Sequence, residues 1–146
     1  MIKIIKLVSI FLISLNLINS AIAGSSFFEQ GKIKYNEKKY DESKFLFQRS
    51  IVFNPKDPKS YLYLAKIYNF EDNKKEEQKN INTVLLLDPK NEEANYLLME
   101  IELIKSNYSK VKELSKNFSK ICQKLCDKNI LILESLENLE PKNESQ

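Results

Sequence analysis

The two residues best equipped for chemistry in this 146-residue chain are Cys122 and Cys126, spaced C-x-x-x-C. In a continuous helix they would sit one turn apart on one face. Across a turn their Cα atoms come within disulfide range more readily. Three chemistries suit the pair: a structural disulfide, two reduced thiols acting as small hydrophobes, or a thiol-dependent metal or redox carrier. The last is the poorest match. Copper-handling proteins with this spacing usually add a His or Met ligand nearby, and the chain has no His. A redox role expects two intervening residues and a thioredoxin-like sheet. The missing His also removes the His-based acid/base pair, the triad and His-ligated zinc.

Other chemistry is thin. Two glycines are too few for a glycine-rich phosphate loop or a dinucleotide fingerprint, which need close backbone approach at several positions. The acidic pairs Asp41-Glu42, Glu76-Glu77 and Glu92-Glu93 are adjacent residues, which point to different sides of a helix and read as solvated surface. Asn107, Asn117 and Asn143 begin Asn-x-Ser triplets, but an Asn- and Ser-rich chain produces these by chance. The net charge of +3 comes from 23 Lys and Arg against 20 Asp and Glu, interspersed, so nucleic acid is not an expected partner. No catalytic residue, cofactor or metal set is expected, and the chain reads as a non-enzyme.

The elements that carry these residues begin after a targeting segment. Lys3 and Lys6 precede an apolar run from Leu7 to Ile18, and Ala21-Ile22-Ala23 is a small-x-small cleavage pattern. Residues 1–23 therefore read as a secretory signal peptide cut between Ala23 and Gly24. The run is shorter than the roughly 20 apolar residues of a spanning helix. After cleavage no stable membrane span is expected, and the location is periplasmic or secreted. An uncleaved anchor is the alternative. Export makes oxidation of the cysteines favourable.

The rest of the chain carries an internal period of 34. Asn54-Pro55 and Asp88-Pro89 are separated by one such period, each after an apolar run, and Tyr40 and Tyr108 by two. Tyr61, Leu64, Ala65 and Tyr68 recur at i, i+3, i+4 and i+7, one stripe of a helix. Pro55 and Pro89 cannot continue a helix, and they disfavour helical geometry in the residue before. On these residues the chain resembles the tetratricopeptide-repeat family. Tyr61, Leu64, Ala65 and Tyr68 follow its aromatic-x-x-Leu-small-x-x-Tyr spacing, and Phe27, Gly31, Tyr40, Ser43, Phe47 and Pro55 stand at its positions in the first unit. The third unit is degenerate: Leu98 and Tyr108 fit, but Met99 replaces the small residue and no proline closes it. Glu77 stands where the family has Ala.

The resemblance implies an all-α solenoid of about three helix–turn–helix repeats (24–57, 58–91 and 92–125). A capping helix at 126–140 would bury Ile130, Leu131, Leu133, Leu136 and Leu139 behind an Asp127 N-cap, with a disordered tail at 141–146. In this register the cysteines straddle the turn into the capping helix, where Asn/Asp-Pro sits in the earlier units. A disulfide there would close the turn in place of the missing proline.

The resemblance also implies a concave face, lined by the first helix of each unit, that holds a peptide or helix of a partner protein, here in the cell envelope. The exposed positions carried over are Phe28, Lys32, Tyr35 and Asn36, then Leu62, Lys66, Asn69 and Phe70, then Tyr96 and Glu100, followed by Leu103 and Ile104. Aromatic groups would supply contact energy, and Lys32 and Lys66 point attraction for an acidic partner. The carboxylate clamp of the family's chaperone-binding members does not carry over, because its places hold Phe28, Tyr63, Glu93 and Leu97. A structural subunit of an envelope complex, in which the convex face matters as much as the groove, is the alternative.

Overall fold

Short helices need explicit starts and stops, and this chain supplies them at a fixed interval. The computed structural model describes residues 26–139, and every element in it is a helix. The signal-like segment with the Ala23–Gly24 junction, and the tail 141–146, lie outside the described residues. The order is α1 (26–36), α2 (Tyr40–Phe53), α3 (Pro58–Phe70), α4 (Lys74–Leu87), α5 (Glu92–Ile104), α6 (Tyr108–Ile121) and α7 (Cys126–Leu139). Asp57 caps α3 by accepting from Lys59 N–H, with Pro58 at the first helical position. Asn73 and Asn91 cap α4 and α5 in the same way, accepting from Glu76 N–H and Ala94 N–H.

The sequence period is written into the backbone. Lys38, Asp72 and Ser106 hold positive φ angles of 59°, 55° and 59°, and each stands one full period from the next. Each ends the first helix of a pair with the same two bonds: Lys38 N–H to Tyr35 O and Lys39 N–H to Lys34 O, then Asp72 to Asn69 and Asn73 to Tyr68, then Ser106 to Leu103 and Asn107 to Glu102. This is the Schellman closure, which satisfies carbonyls that the helix end leaves unpaired.

Each pair adds a small core that shares a wall with the next, as expected when repeats touch only their neighbours. Phe28, Phe47, Leu64 and Ile67 form the first cluster. Ala65, Ile81, Val84, Ala94 and Ile101 form the second, and Met99, Val111, Phe118, Ile132 and Leu136 the third. Gly31 permits a close approach between α1 and α2. A Cβ there would meet the Phe47 ring at 2.7 Å, and the Gly31 carbonyl accepts from Ser43 Oγ at 2.9 Å. Met99 takes the small-residue position of the third unit and is fully buried all the same, in the cluster of Val111 and Phe118.

Three expectations are corrected. The acidic pairs are not uniformly solvated. Glu77 is only 1% exposed, with Asn69 donating to it at 2.7 Å and Lys74 at 3.1 Å. The face that α7 buries is Asn129, Ile132 and Leu136, whereas Ile130, Leu131, Leu133 and Leu139 are exposed. A last helix has neighbours on one side only, so a sequence rich in Leu and Ile cannot bury every apolar side chain. Finally, α7 begins at Cys126, which puts Asp127 in the first turn and not at the cap.

Candidate functional site

Tyr96, Glu100, Leu103 and Ile104 follow one another at i, i+4, i+7 and i+8 along α5, which places them on one face. That face forms the floor of a cleft of about 310 Å³. Asn69 of α3 and Glu77 of α4 close one side, and Leu131, Ile132 and Ser135 of α7 the other. Tyr96 donates its hydroxyl to the Glu100 carboxylate. Burial and that bond push the Tyr96 pKa up to about 12. The Lys128 ammonium lies 5.6 Å from the centre of the Tyr96 ring. The apolar rim is open: Ile104 is 67% exposed and Leu131 50%.

The residues expected on this face divide into two groups. Asn69, Tyr96 and Glu100 line the cleft, joined by Leu103 and Ile104. Lys32, Tyr35 and Lys66 belong to the first two helix pairs. There Tyr35 meets Tyr63 edge-on at 5.1 Å and Tyr40 at 5.7 Å. The Lys66 ammonium lies 4.8 Å from the Tyr63 ring centre and pairs with Glu93 at 2.8 Å. Burial disfavours the Lys66 charge, but the Glu93 hydrogen bond, the Glu93 charge and the nearby Tyr35 and Tyr63 together outweigh it and hold the ammonium above its ordinary pKa. Lys32 pairs with Glu29 at 3.1 Å. Asn36 is exposed at the end of α1, and Phe70 is exposed with its ring 4.5 Å from Tyr40.

One of the expected positions is not an exposed groove residue. Phe28 is 8% exposed and packs its ring against Phe47 and Tyr63, so it belongs to the core. Leu62 is half-buried against the second cluster. The contribution of α7 has no counterpart in the sequence pattern, which places Leu131 on the buried face. Glu77 carried a signal, as a charged residue at a position that wants a small one.

Cys122 caps α6 and Cys126 opens α7. Their sulfurs are bonded to each other, with the Cα atoms 5.3 Å apart, and no free cysteine is present among the described residues. The Glu92 carboxylate accepts from Lys124 N–H at 2.9 Å and Leu125 N–H at 2.8 Å within the same turn. Among the described residues no group of His, Cys, Asp and Glu could hold a metal ion, and no helix is long and apolar enough to cross a membrane.

No protein-family model and no curated protein matches the sequence. Solved structures do match the fold. The TPR domain of Arabidopsis OM64 superposes with a TM-score of 0.71 at 14% identity, covering 82% of this chain and 98% of that one. The first TPR of Spaghetti (RPAP3), solved with the HSP90 peptide SRMEEVD, gives 0.71 at 13% identity, covering 82% and 94%. The second TPR domain of human RPAP3, solved with the HSP70 peptide SGPTIEEVD, gives 0.65 at 15% identity, covering 83% and 98%. With its periodic backbone turns and these structural neighbours, the chain has the tetratricopeptide-repeat fold.

Proposed function

We propose that this chain is a non-catalytic protein-interaction module that holds a peptide or helical segment of a partner in the cleft between α3, α5 and α7. The observation that carries the reading is that cleft, with its open apolar rim at Ile104 and Leu131 beside Tyr96 and Glu100. A concave surface lined mostly by apolar side chains, with a few placed polar groups, is a common form of binding site, and such grooves accept amphipathic segments. Two of the structural neighbours above were solved with bound peptides, which supports the same use of this fold.

The signal-like residues 1–23 and the bridged cysteines support export, with the partner in the cell envelope. Crosslinking in the native envelope followed by co-purification tests both parts. Ile104→Ser removes the aliphatic group from the rim at a position that is 67% exposed, without adding a charge. The partner recovered with the native protein should be lost with this variant, and equal recovery would count against the cleft. The mass of the purified protein tests export: loss of residues 1–23 is expected, and an intact Met1 would refute cleavage.

A second reading, as a scaffold subunit, draws on Val52 and Leu86. They stand one period apart on α2 and α4, and are 78% and 81% exposed. Crosslinks that centre on these two positions and spare the cleft would favour it.

A further inference from the structure

We propose that the cleft recognises a segment in which an aliphatic side chain stands next to Lys or Arg, and that it discriminates against acidic segments; this rests on the interaction-module reading above. Charge decides the matter. The cleft lining contains two carboxylates and no cation. Glu77 is already met by Lys74 and Asn69. Glu100 has one hydrogen bond among the described residues, from the Tyr96 hydroxyl, and no ion pair. Lys128 sits over the Tyr96 ring and makes no ion pair with Glu100. The cations first expected to attract an acidic partner, Lys32 and Lys66, pair with Glu29 and Glu93 and stand outside the cleft lining.

The geometry adds the second half of the specificity. Glu100 and Ile104 are one helical turn apart on α5, so their side chains are neighbours about 5–6 Å apart at Cβ. A ligand that satisfies both must carry its cation and its aliphatic group side by side. The exposed Ile104 and Leu131 would take the aliphatic group. The apolar wall lowers the local dielectric, which strengthens a charge-assisted bond to Glu100. An acidic segment would bring a second carboxylate to the same place.

Fluorescence anisotropy on the full chain with three labelled peptides of equal length tests this. They alternate Leu with Lys, Leu with Glu and Leu with Ser. The Leu/Lys peptide should bind at least about tenfold more tightly than the Leu/Glu peptide, and Glu100→Gln should weaken it by about tenfold, the range of a hydrogen bond to a charged group. Glu134→Gln, at an exposed site on α7 outside the cleft, should leave binding unchanged. Ile104→Ser should weaken whatever the cleft binds, and circular dichroism checks that each variant folds.

Equal or tighter binding of the Leu/Glu peptide, or no effect of Glu100→Gln, overturns the proposal. If the Leu/Glu or Leu/Ser peptide binds best and Ile104→Ser abolishes it, only the basic preference fails and the interaction module stands. If none of the three binds, the basic preference fails, and if the crosslinking experiment also recovers no partner, the interaction module fails with it.

Discussion

The Glu92 carboxylate oxygen lies 2.8 Å from the backbone nitrogen of Leu125, far along the chain at the other end of the third helix pair. The same oxygen accepts from Lys124 N–H at 2.9 Å. One side chain at the start of α5 thus pins the turn that launches α7. These donors hold the Glu92 pKa below its ordinary 4.5, because a carboxylate that accepts backbone N–H bonds resists protonation. A depressed folded value means that the contribution to stability is present above pH 4.5 and is lost as pH falls through the lower, folded value.

Acid should therefore loosen α7 before the rest of the solenoid. Hydrogen exchange across 122–139 is expected to lose protection first as pH drops below 4.5, while α3 and α4 remain protected. Glu92→Gln should reduce that protection already at neutral pH and flatten its pH dependence. Simultaneous loss along the whole chain would contradict the anchoring role.

The repeat architecture was legible in the sequence, and the reason is visible at single residues. Pro55 and Pro89 stop helices wherever they stand, Tyr61 to Tyr68 mark one stripe, and Gly31 admits the Phe47 ring. These are local effects. The site was legible only in part, because exposure depends on what a neighbouring helix covers. Phe28 is drawn into the core by the Phe47 and Tyr63 rings. Lys32 and Lys66 read as free cations until Glu29 and Glu93 are seen beside them. Glu92 looked like a solvated surface acid because its donors, Lys124 N–H and Leu125 N–H, are distant in sequence and close only in the fold.

The bridge between Cys122 and Cys126 closes a short loop, so its entropic contribution is modest, on the order of 2 kcal/mol or less. The double replacement Cys122→Ser/Cys126→Ser, or treatment with a dithiol reductant, should lower stability by about that amount. The loss should be concentrated in α7, and because α7 supplies Leu131 to the cleft, peptide binding should weaken with it. Urea unfolding with and without reductant measures the first, anisotropy the second. A reductant that changes neither would remove the bridge from the account of α7.

Gly31→Ala tests the close approach of α1 to α2. The added Cβ would lie 2.7 Å from Cε1 and 2.9 Å from Cδ1 of Phe47, a ring with no exposed surface into which to move. Overpacking of this kind costs about 1–3 kcal/mol, against a helix-propensity gain of about 1 kcal/mol for replacing Gly by Ala. A net loss is expected in chemical denaturation. Phe47→Leu removes the clash, so the double variant should be less destabilised than the two single losses added together. Strict additivity would show that the ring and the glycine are not coupled.

The three positive-φ residues offer a prediction of the opposite sign. Lys38, Asp72 and Ser106 occupy the left-handed region that ends α1, α3 and α5, where a Cβ crowds the following carbonyl at a cost of about 1–2 kcal/mol. Glycine avoids that clash but makes the unfolded chain more flexible, which offsets part of the gain. The balance should favour Lys38→Gly and Ser106→Gly by roughly 0.5–1 kcal/mol each. Asp72→Gly should gain less, since Asp tolerates this geometry better and Asp72 also lies 3.7 Å from Lys74. Sites one repeat apart share no partners, so the gains should add. Lys39→Gly is the comparison, at the N-cap of α2, where Gly is tolerated and the Glu37 ion pair is lost. Its φ is −85°, so it has no left-handed strain to release, and its replacement should gain less than Lys38→Gly. Urea unfolding of the four single variants decides the matter: equal effects of Lys38→Gly and Lys39→Gly would show that the backbone conformation at the turn is not where the strain resides.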